Sequence, residues 1–334
     1  MANSFRVVDR ALLRLLARWK SPGFVAWAAL LLLSGILRAG DAAAPFTVIV
    51  LPDTQNYVKY EGAEKKLFAQ AQWIKDNREK LNIKFVIHEG DMTDDNSPGQ
   101  WEKAREAIKV LDGVVPYAPC VGNHDAGHNG PKTSLLTEYF KPSELEKLPG
   151  WGGKMPEDDC FWFRFDAGAE KFLVLSLGLG PSDAMLKWAD QIIESHPGYK
   201  VLMATHEYVG KDGNLSGKDT KKNAAAYGLH RDGSPRNTGA QIWDKHVRKH
   251  AGYQMVFCGH YDGIAARNSM KGDSGNTVHQ MMANYQYFEG GGNGFLRILR
   301  FLPAEKKCVV QTYSPFVDKY LKDDQNEFSL DLAQ

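Results

Sequence analysis

The chain has 334 residues, of which 43% are hydrophobic, enough to bury the core of one large domain. Its 41 Lys and Arg against 40 Asp and Glu leave a formal net charge of +1. That balance argues against a general polyanion binder, because nucleic-acid affinity leans on a basic surface, and nucleic acid is not an expected partner. The four cysteines, Cys120, Cys160, Cys258 and Cys308, form no CxxC pair and no thiolate zinc spacing.

The N-terminus differs in kind from the rest. Arg6, Arg10, Arg14, Arg18 and Lys20 precede an apolar run from Phe24 to Leu37, and small residues follow as far as Ala44. A basic region, a short apolar stretch and a small-residue site read as a secretory signal. The run is short for a spanning helix, which needs about 20 residues, but an uncleaved anchor is the competing reading. Residues 1–44 are therefore expected to be a signal peptide or membrane anchor, and residues 45–334 the functional domain. Such a chain is exported, secreted or held in the cell envelope, with membrane contact only through that segment. In an oxidising compartment Cys160 and Cys308 could pair, while Cys120 and Cys258 sit in core strands.

From Phe46 to Leu51 the chain reads as a strand buried on both faces, ending in the polar cluster Asp53-Thr54-Gln55-Asn56-Tyr57. A helix over about Glu64 to Lys80 leads to a strand Ile83–Ile87 and the cluster from His88 to Asp95. A second helix, about Gln100 to Leu111, precedes a strand Val115–Val121 that runs into Gly122-Asn123-His124-Asp125. Strands joined by helices predict a largely parallel α/β sheet with ligands gathered beyond the strands' carboxyl ends. The stretch from Gly127 to Gly153 reads as a surface excursion with a short helix near Leu135 to Phe140. Phe161–Phe165 and Phe172–Ser176 form a hairpin, and Ser182 caps a helix carrying the stripe Met185, Trp188, Ala189, Ile192 and Ile193. Val201–Thr205 ends at His206, and a long Gly-, Asn- and Lys-rich loop covers Lys211 to Thr238. A helix with Ile242, Trp243 and Val247 precedes the strand Met255–Cys258, which meets Gly259-His260-Tyr261-Asp262. Strands Thr277–Ala283, Phe295–Phe301 and Cys308–Tyr313 close the chain.

Asp53, Gln55, Asp91, Asn123, His124, His206, His260 and Asp262 thus gather at five strand ends, with no cysteine among them. Oxygen and imidazole donors suit Mn, Fe, Zn or Mg, and a set of this size could hold two ions. Two ions roughly 3.5–4 Å apart form the usual clamp for displacement at phosphorus.

These blocks resemble the calcineurin-like metallophosphoesterase superfamily. Its signature runs Asp-x-His, Gly-Asp-x-x-Asp, Gly-Asn-His-Asp/Glu, a lone His, then Gly-His-x-His. Here the blocks are Asp53-Thr54-Gln55, Gly90 to Asp94, Gly122 to Asp125, His206 and Gly259 to Asp262. The resemblance implies a four-layer α/β/β/α sandwich of two mixed sheets flanked by helices. It implies two divalent ions (Mn, Fe, Mg, Ca or Zn) and hydrolysis of a small phosphomonoester or phosphodiester by a metal-bridging hydroxide. Asp91 resembles the bridging carboxylate, and Asn123, His206 and His260 the other ligands of the second metal. Asp53 resembles a first-metal ligand, and His124 the acid for the leaving oxygen, oriented by Asp125.

Two positions depart from that signature. Gln55 and Asp262 stand where the family has the two imidazoles of the first metal. A first site of Asp53, Gln55, Asp91 and Asp262 would be all oxygen, favouring Mn, Mg or Ca over Zn and repelling a phosphate dianion more strongly. The alternative is a weak or empty first site, giving a one-metal enzyme or a non-catalytic binding protein of the cell envelope. Other residues read more plainly. Asp94 supports its loop, His88 is packed or faces solvent, His128 does not reach substrate, and Tyr57 packs. Lys211, Lys218, Lys221, Lys222, Arg231 and Arg236 make a basic loop that could contact a phosphoryl group, but most of them read as a solvated charge run. Gly290 to Gly294 makes tight turns, with Gln286 and Asn293 facing the site.

Overall fold

The computed structural model describes residues 44–126 and 133–333. The leader expected before Ala44 and His128 fall outside the described residues. Among the described residues no helix is long and apolar enough to cross a membrane.

In chain order, β1 (Phe46–Leu51) leads through α1 (Gln55–Lys59) and α2 (Lys65–Asn77) to β2 (Ile83–His88). Then come α3 (Pro98–Ile108), β3 (Tyr117–Ala118), α4 (Leu136–Tyr139), α5 (Pro142–Leu145), β4 (Trp151–Lys154), β5 (Phe161–Ala167) and β6 (Glu170–Ser176). After α6 (Asp183–Ser195) follow β7 (Lys200–Ala204), α7 (Gly239–Lys245), β8 (Tyr253–Cys258), β9 (Ile264–Lys271) and β10 (Thr277–Asn284). The chain ends in β11 (Leu296–Leu302), β12 (Lys307–Ser314), β13 (Lys319–Leu321) and β14 (Glu327–Asp331).

Two seven-stranded mixed sheets result. One runs β13-β12-β11-β1-β2-β3 with β14 also on β12; the other runs β4-β5-β6-β7-β8-β10-β9. β1, β2 and β3 are parallel neighbours, as are β6, β7, β8 and β10. Every residue of β1 is buried, which explains its unbroken apolar sequence. The sheets meet through aromatic side chains: Phe46 lies edge-on to Phe172 at 5.4 Å, and Phe85 to Phe163 at 5.4 Å. On the far face of the second sheet, α6 buries Met185, Leu186, Ala189, Ile192 and Ile193. Ser182 Oγ accepts from Met185 N at 3.3 Å and starts that helix. The architecture is the expected sandwich of two mixed sheets flanked by helices.

Three local expectations change. The strand expected over Val115–Val121 narrows to Tyr117–Ala118, because Pro116 and Pro119 bring no N–H to the ladder. The end of the supposed excursion is the edge strand β4, which its two glycines disguised; Gly152 lies against the Trp162 ring, where a Cβ would collide. Cys160 and Cys308 do not pair. Both thiols are free, and they sit in different core clusters.

Candidate metal centre

Each expected ligand follows a parallel strand: Asp53 follows β1, Asp91 β2, Asn123 β3, His206 β7 and His260 β8. Both sheets contribute, and the structure brings the second-metal set together. His206 Nε2 stands 3.1 Å from Asp91 Oδ2, 3.1 Å from Asn123 Oδ1 and 3.3 Å from His260 Nδ1. His260 Nδ1 is 2.8 Å from Asn123 Oδ1. Asp91 and His260 hold left-handed backbone (φ 49° and 72°), an arrangement uncommon outside glycine that turns both side chains at the strand ends.

Tautomers follow from the outer nitrogens. His206 Nδ1 donates to the Glu89 carbonyl at 2.9 Å, and His260 Nε2 to the Lys222 carbonyl at 2.7 Å. A carbonyl only accepts, so both inner nitrogens present lone pairs. Four acceptors then converge: two imidazole nitrogens, a carboxylate oxygen and an amide oxygen. Their spacing of 2.8–3.3 Å matches that of ligands about 2.0–2.2 Å from one ion. Without a cation, one proton has to take its place. Burial works against a charge on His206, yet the adjacent Asp91 carboxylate raises its pKa to about 10. Asp91 itself, despite burial, is held down at about 2 by His206. Burial and the neighbouring His206 lower His260 to about 3. A divalent ion resolves this arrangement directly, and these residues fit one.

The first-metal side is built from oxygens and amides. Asp53 is buried and accepts from Asn284 Nδ2 at 2.6 Å, from Gln286 Nε2 at 3.4 Å and from His260 N at 3.2 Å. Burial pushes its pKa well up, and Asp91 adds to the rise. Gln55 and Gln286 each bury an Oε1 that has no hydrogen-bond partner. Two facing carboxylates and two orphaned amide oxygens suit a hard cation. Gln286 reaches the site as expected; Asn293 instead engages the glycine turn, its carbonyl accepting from Ser314 Oγ.

Two assignments need correction. Asp262 is not with the ligands: its carboxylate meets Lys222 Nζ at 3.1 Å, and its side chain is 31% exposed. Asp125 does not orient His124. It is wholly buried and accepts from Gly122 N, Met92 N, Thr93 N and Thr93 Oγ1 at 2.7–3.1 Å, clasping the Asp91 loop to the Asn123 loop. Burial and the nearby Asp91 raise its pKa to about 6. The group beside His124 is Asp94: His124 Nδ1 donates to its carbonyl at 2.7 Å and lies 3.5 Å from its Oδ1. His124 N also donates to Asp91 Oδ1 at 2.9 Å.

Other expectations hold. His88 is packed, accepting from Gly90 N at Nδ1 and meeting Thr54 Oγ1 at Nε2; burial lowers its pKa to about 3. Tyr57 packs, and its hydroxyl accepts from Gly294 N. The sequence reading missed Asn284, whose contact with Asp53 spans 231 residues. It also missed Glu89, a fully buried carboxyl with neither oxygen partnered, whose pKa burial pushes well up. Their only local signal is a polar residue closing an apolar strand.

The motif glycines allow close approach. A Cβ on Gly122 would overlap the Asp91 carboxylate and amide, and one on Gly259 would overlap Asp53 Oδ1. Gly122→Ala is therefore expected to cost about 1–3 kcal/mol and to displace Asp91. Thermal unfolding together with metal content per chain checks this, the expected result being a loss in both.

A second Asp/His cluster, Asp190, His246 and His250, behaves differently. Asp190 Oδ1 lies 2.5 Å from His246 Nδ1 and 2.7 Å from His250 Nε2, closer than the roughly 3.3 Å separating two ligands of a tetrahedral zinc. His246 Nε2 meets the Tyr253 hydroxyl at 2.6 Å, and that hydroxyl can donate to it. Asp190 Oδ1, both His246 nitrogens and His250 Nε2 are then satisfied with no cation, so this is a hydrogen-bonded clamp. Burial alone would raise the Asp190 pKa, but the two imidazole N–H groups hold it well below its ordinary value. The clamp thus contributes above the unfolded value near 4, and is lost as the pH falls through the folded pKa. Asp190→Asn should cost about 1–2 kcal/mol in urea unfolding at pH 7, with the deficit shrinking as the pH is lowered towards about 2.

Comparison with known proteins agrees with this geometry. The family profile described as calcineurin-like phosphoesterase matches residues 46–261. The uncharacterized protein YvnB of Bacillus subtilis (strain 168) is 31% identical over 302 residues. That match takes in 86% of this chain and 22% of YvnB, so the chain spans less than a quarter of that relative. Among solved structures, the purple acid phosphatase PPD1 from yellow lupin (Lupinus luteus) seeds superposes with a TM-score of 0.52 at 12% identity. It covers 86% of this chain and 54% of its own, a likeness of fold. With its motif residues converging at the ends of five strands, the chain belongs to the calcineurin-like phosphoesterase family.

Proposed function

We propose that the chain is a metal-dependent phosphoesterase that hydrolyses a small phosphomonoester or phosphodiester, with His124 as the proton donor to the leaving oxygen. The observation that carries this reading is the convergence of Asp91, Asn123, His206 and His260, whose facing oxygens and ring nitrogens lie 2.8–3.1 Å apart. Those residues would hold one divalent ion. Asp53, Gln55 and Asp91, with Gln286 beside them, would hold a second, harder one such as Mn, Mg or Ca. Bound ions supply Lewis-acid charge that activates water and offsets the phosphate's negative charge.

The protein's own groups do the rest. His124 Nδ1 is committed to the Asp94 carbonyl, so a proton given to substrate leaves from Nε2. The Asp94 carboxylate lies 3.5 Å from the same Nδ1 and helps to fix the ring's orientation. Asp125 acts one step back, fixing the loops that carry Asp91 and His124. The basic, apolar and small-residue succession before Ala44 supports export, with the enzyme working outside the cytoplasm or in the envelope.

A second reading, a non-catalytic envelope protein retaining one metal, draws on the first-metal side. Both of that side's family imidazoles are replaced, and Asp262 is turned to Lys222. Assaying the Mn-loaded protein on an aryl phosphate and a bis-aryl phosphate separates the two. Turnover of either ester supports the enzyme, and the ratio gives the substrate class. Failure on both, by a chain shown to carry metal, leaves the binder.

A further inference from the structure

The departure at Asp262 has a structural counterpart. Its carboxylate holds Lys222 Nζ at 3.1 Å, while the other end of Lys222 is fixed to the metal centre. The Lys222 carbonyl accepts from His260 Nε2 at 2.7 Å, and its backbone is left-handed (φ 60°). Two residues on, Ala224 N donates at 3.1 Å to Glu207 Oε2, a carboxylate beside the ligand His206 that also accepts from the Tyr261 hydroxyl at 2.8 Å. Tyr227 closes over His260, with the rings edge-on at 5.2 Å. The segment from Lys222 to Tyr227 is therefore tied to His260 directly and to His206 through its neighbour. The Lys222 ammonium is its charged group facing solvent, with the side chain 59% exposed. A cavity of about 580 Å³ opens here, lined by Lys211, Thr220, Lys221, Lys222, Tyr261 and Asp262 among others.

We propose that the Lys222–Asp262 pair forms an anion subsite beside the metal centre, taking a second anionic group carried by the phosphoester substrate. This rests on the phosphoesterase reading. Lys222 binds the group. Asp262 is a positioning residue that holds the ammonium at the mouth, where the family pattern would place a metal ligand. Lys211 and Lys221 line the same cavity with Asp212, so its three lysines against two carboxylates leave one net positive charge. Tyr261 and Leu215 give it an apolar wall, suiting an organic acid or a second phosphate on a short carbon frame. An exposed lysine alone binds an anion weakly. This one is pre-positioned at both ends, which lowers the ordering cost of binding.

The test uses two analogues that need no turnover, phenylphosphonate and 4-carboxyphenylphosphonate. Calorimetric titration into the full metal-loaded chain compares wild type, Lys222→Ala and Asp262→Asn, with metal content measured in parallel. Wild type should bind the carboxylated analogue at least about fivefold more tightly, or about 1 kcal/mol. Both substitutions should bring that preference to near unity, with phenylphosphonate affinity within about twofold and metal content unchanged. An unaltered preference in Lys222→Ala overturns the proposal, as does equal binding of the two analogues by wild type. Loss of an ion in Asp262→Asn overturns it too, since Asp262 would then be a ligand. Failure of the phosphoesterase reading shows up separately, as absent hydrolysis of both an aryl phosphate and a bis-aryl phosphate.

Discussion

Asp91→Ala is expected to lower phosphoester turnover by at least about 10³-fold, a loss of about 4 kcal/mol of transition-state stabilisation, and to cut metal content in the same preparation. Among the described residues no other is so placed. Its Oδ2 faces His206 Nε2 at 3.1 Å, its Oδ1 accepts from His124 N at 2.9 Å, and its charge is felt at Asp53. Truncation removes the carboxylate common to both proposed ion sites. It also loosens the backbone of the proposed acid and leaves His206 without its charge partner. The side chain is almost wholly buried, so some stability will be lost as well. Asp91→Asn keeps the volume and separates the two effects. It should fold, bind metal poorly and turn over at background. If Asp91→Ala retained more than a tenth of wild-type turnover with its metal intact, the centre would lie elsewhere.

The second large effect concerns His124. Substitution by Gln should reduce kcat by about 10²–10⁴-fold on an alkyl phosphate, whose leaving oxygen needs a proton. On an activated aryl phosphate, whose phenolate leaves unaided, the loss should be below about tenfold. The dependence of rate on leaving-group basicity should steepen accordingly, with metal content unchanged, because the His124 backbone N–H that Asp91 accepts from is kept in the variant. Asp94→Asn should show the same pattern more weakly, since Asp94 acts through His124. Equal losses on both leaving groups would assign His124 to positioning and remove it as the acid.

The convergence of the candidate ligands was legible because its signals are local. Each of Asp53, Asp91, Asn123, His206 and His260 closes an apolar strand, and parallel pairing brings those ends together at one edge. What escaped was decided by distant contacts. Asn284 reaches Asp53 only because β10 lies beside β8 in the second sheet. Asp262 matched a motif by position, but whether a carboxylate turns to an ion or to a lysine depends on where the loop from Lys211 to Thr238 folds back. That loop places Lys222 against it. Adjacency likewise suggested Asp125 as the partner of His124, whereas four N–H and O–H donors from two loops claim its carboxylate. In the fold, apolar periodicity located the buried strands. The edge strands β4 and β9 were hidden because an edge needs fewer apolar residues and tolerates glycine and polar side chains.

If Asp91, Asn123, His206 and His260 hold a divalent ion, the metal-stripped protein must bind one and these side chains must govern its affinity. The direct measurement is equilibrium cobalt titration of the metal-stripped protein, followed by visible absorption and elemental analysis, with His206→Ala and His260→Ala alongside. The predicted result is at least one ion bound per chain, with a spectrum indicating mixed nitrogen and oxygen ligation that both substitutions weaken or abolish. A stripped, folded chain that binds no cobalt, or binds it unchanged in both variants, would contradict the account.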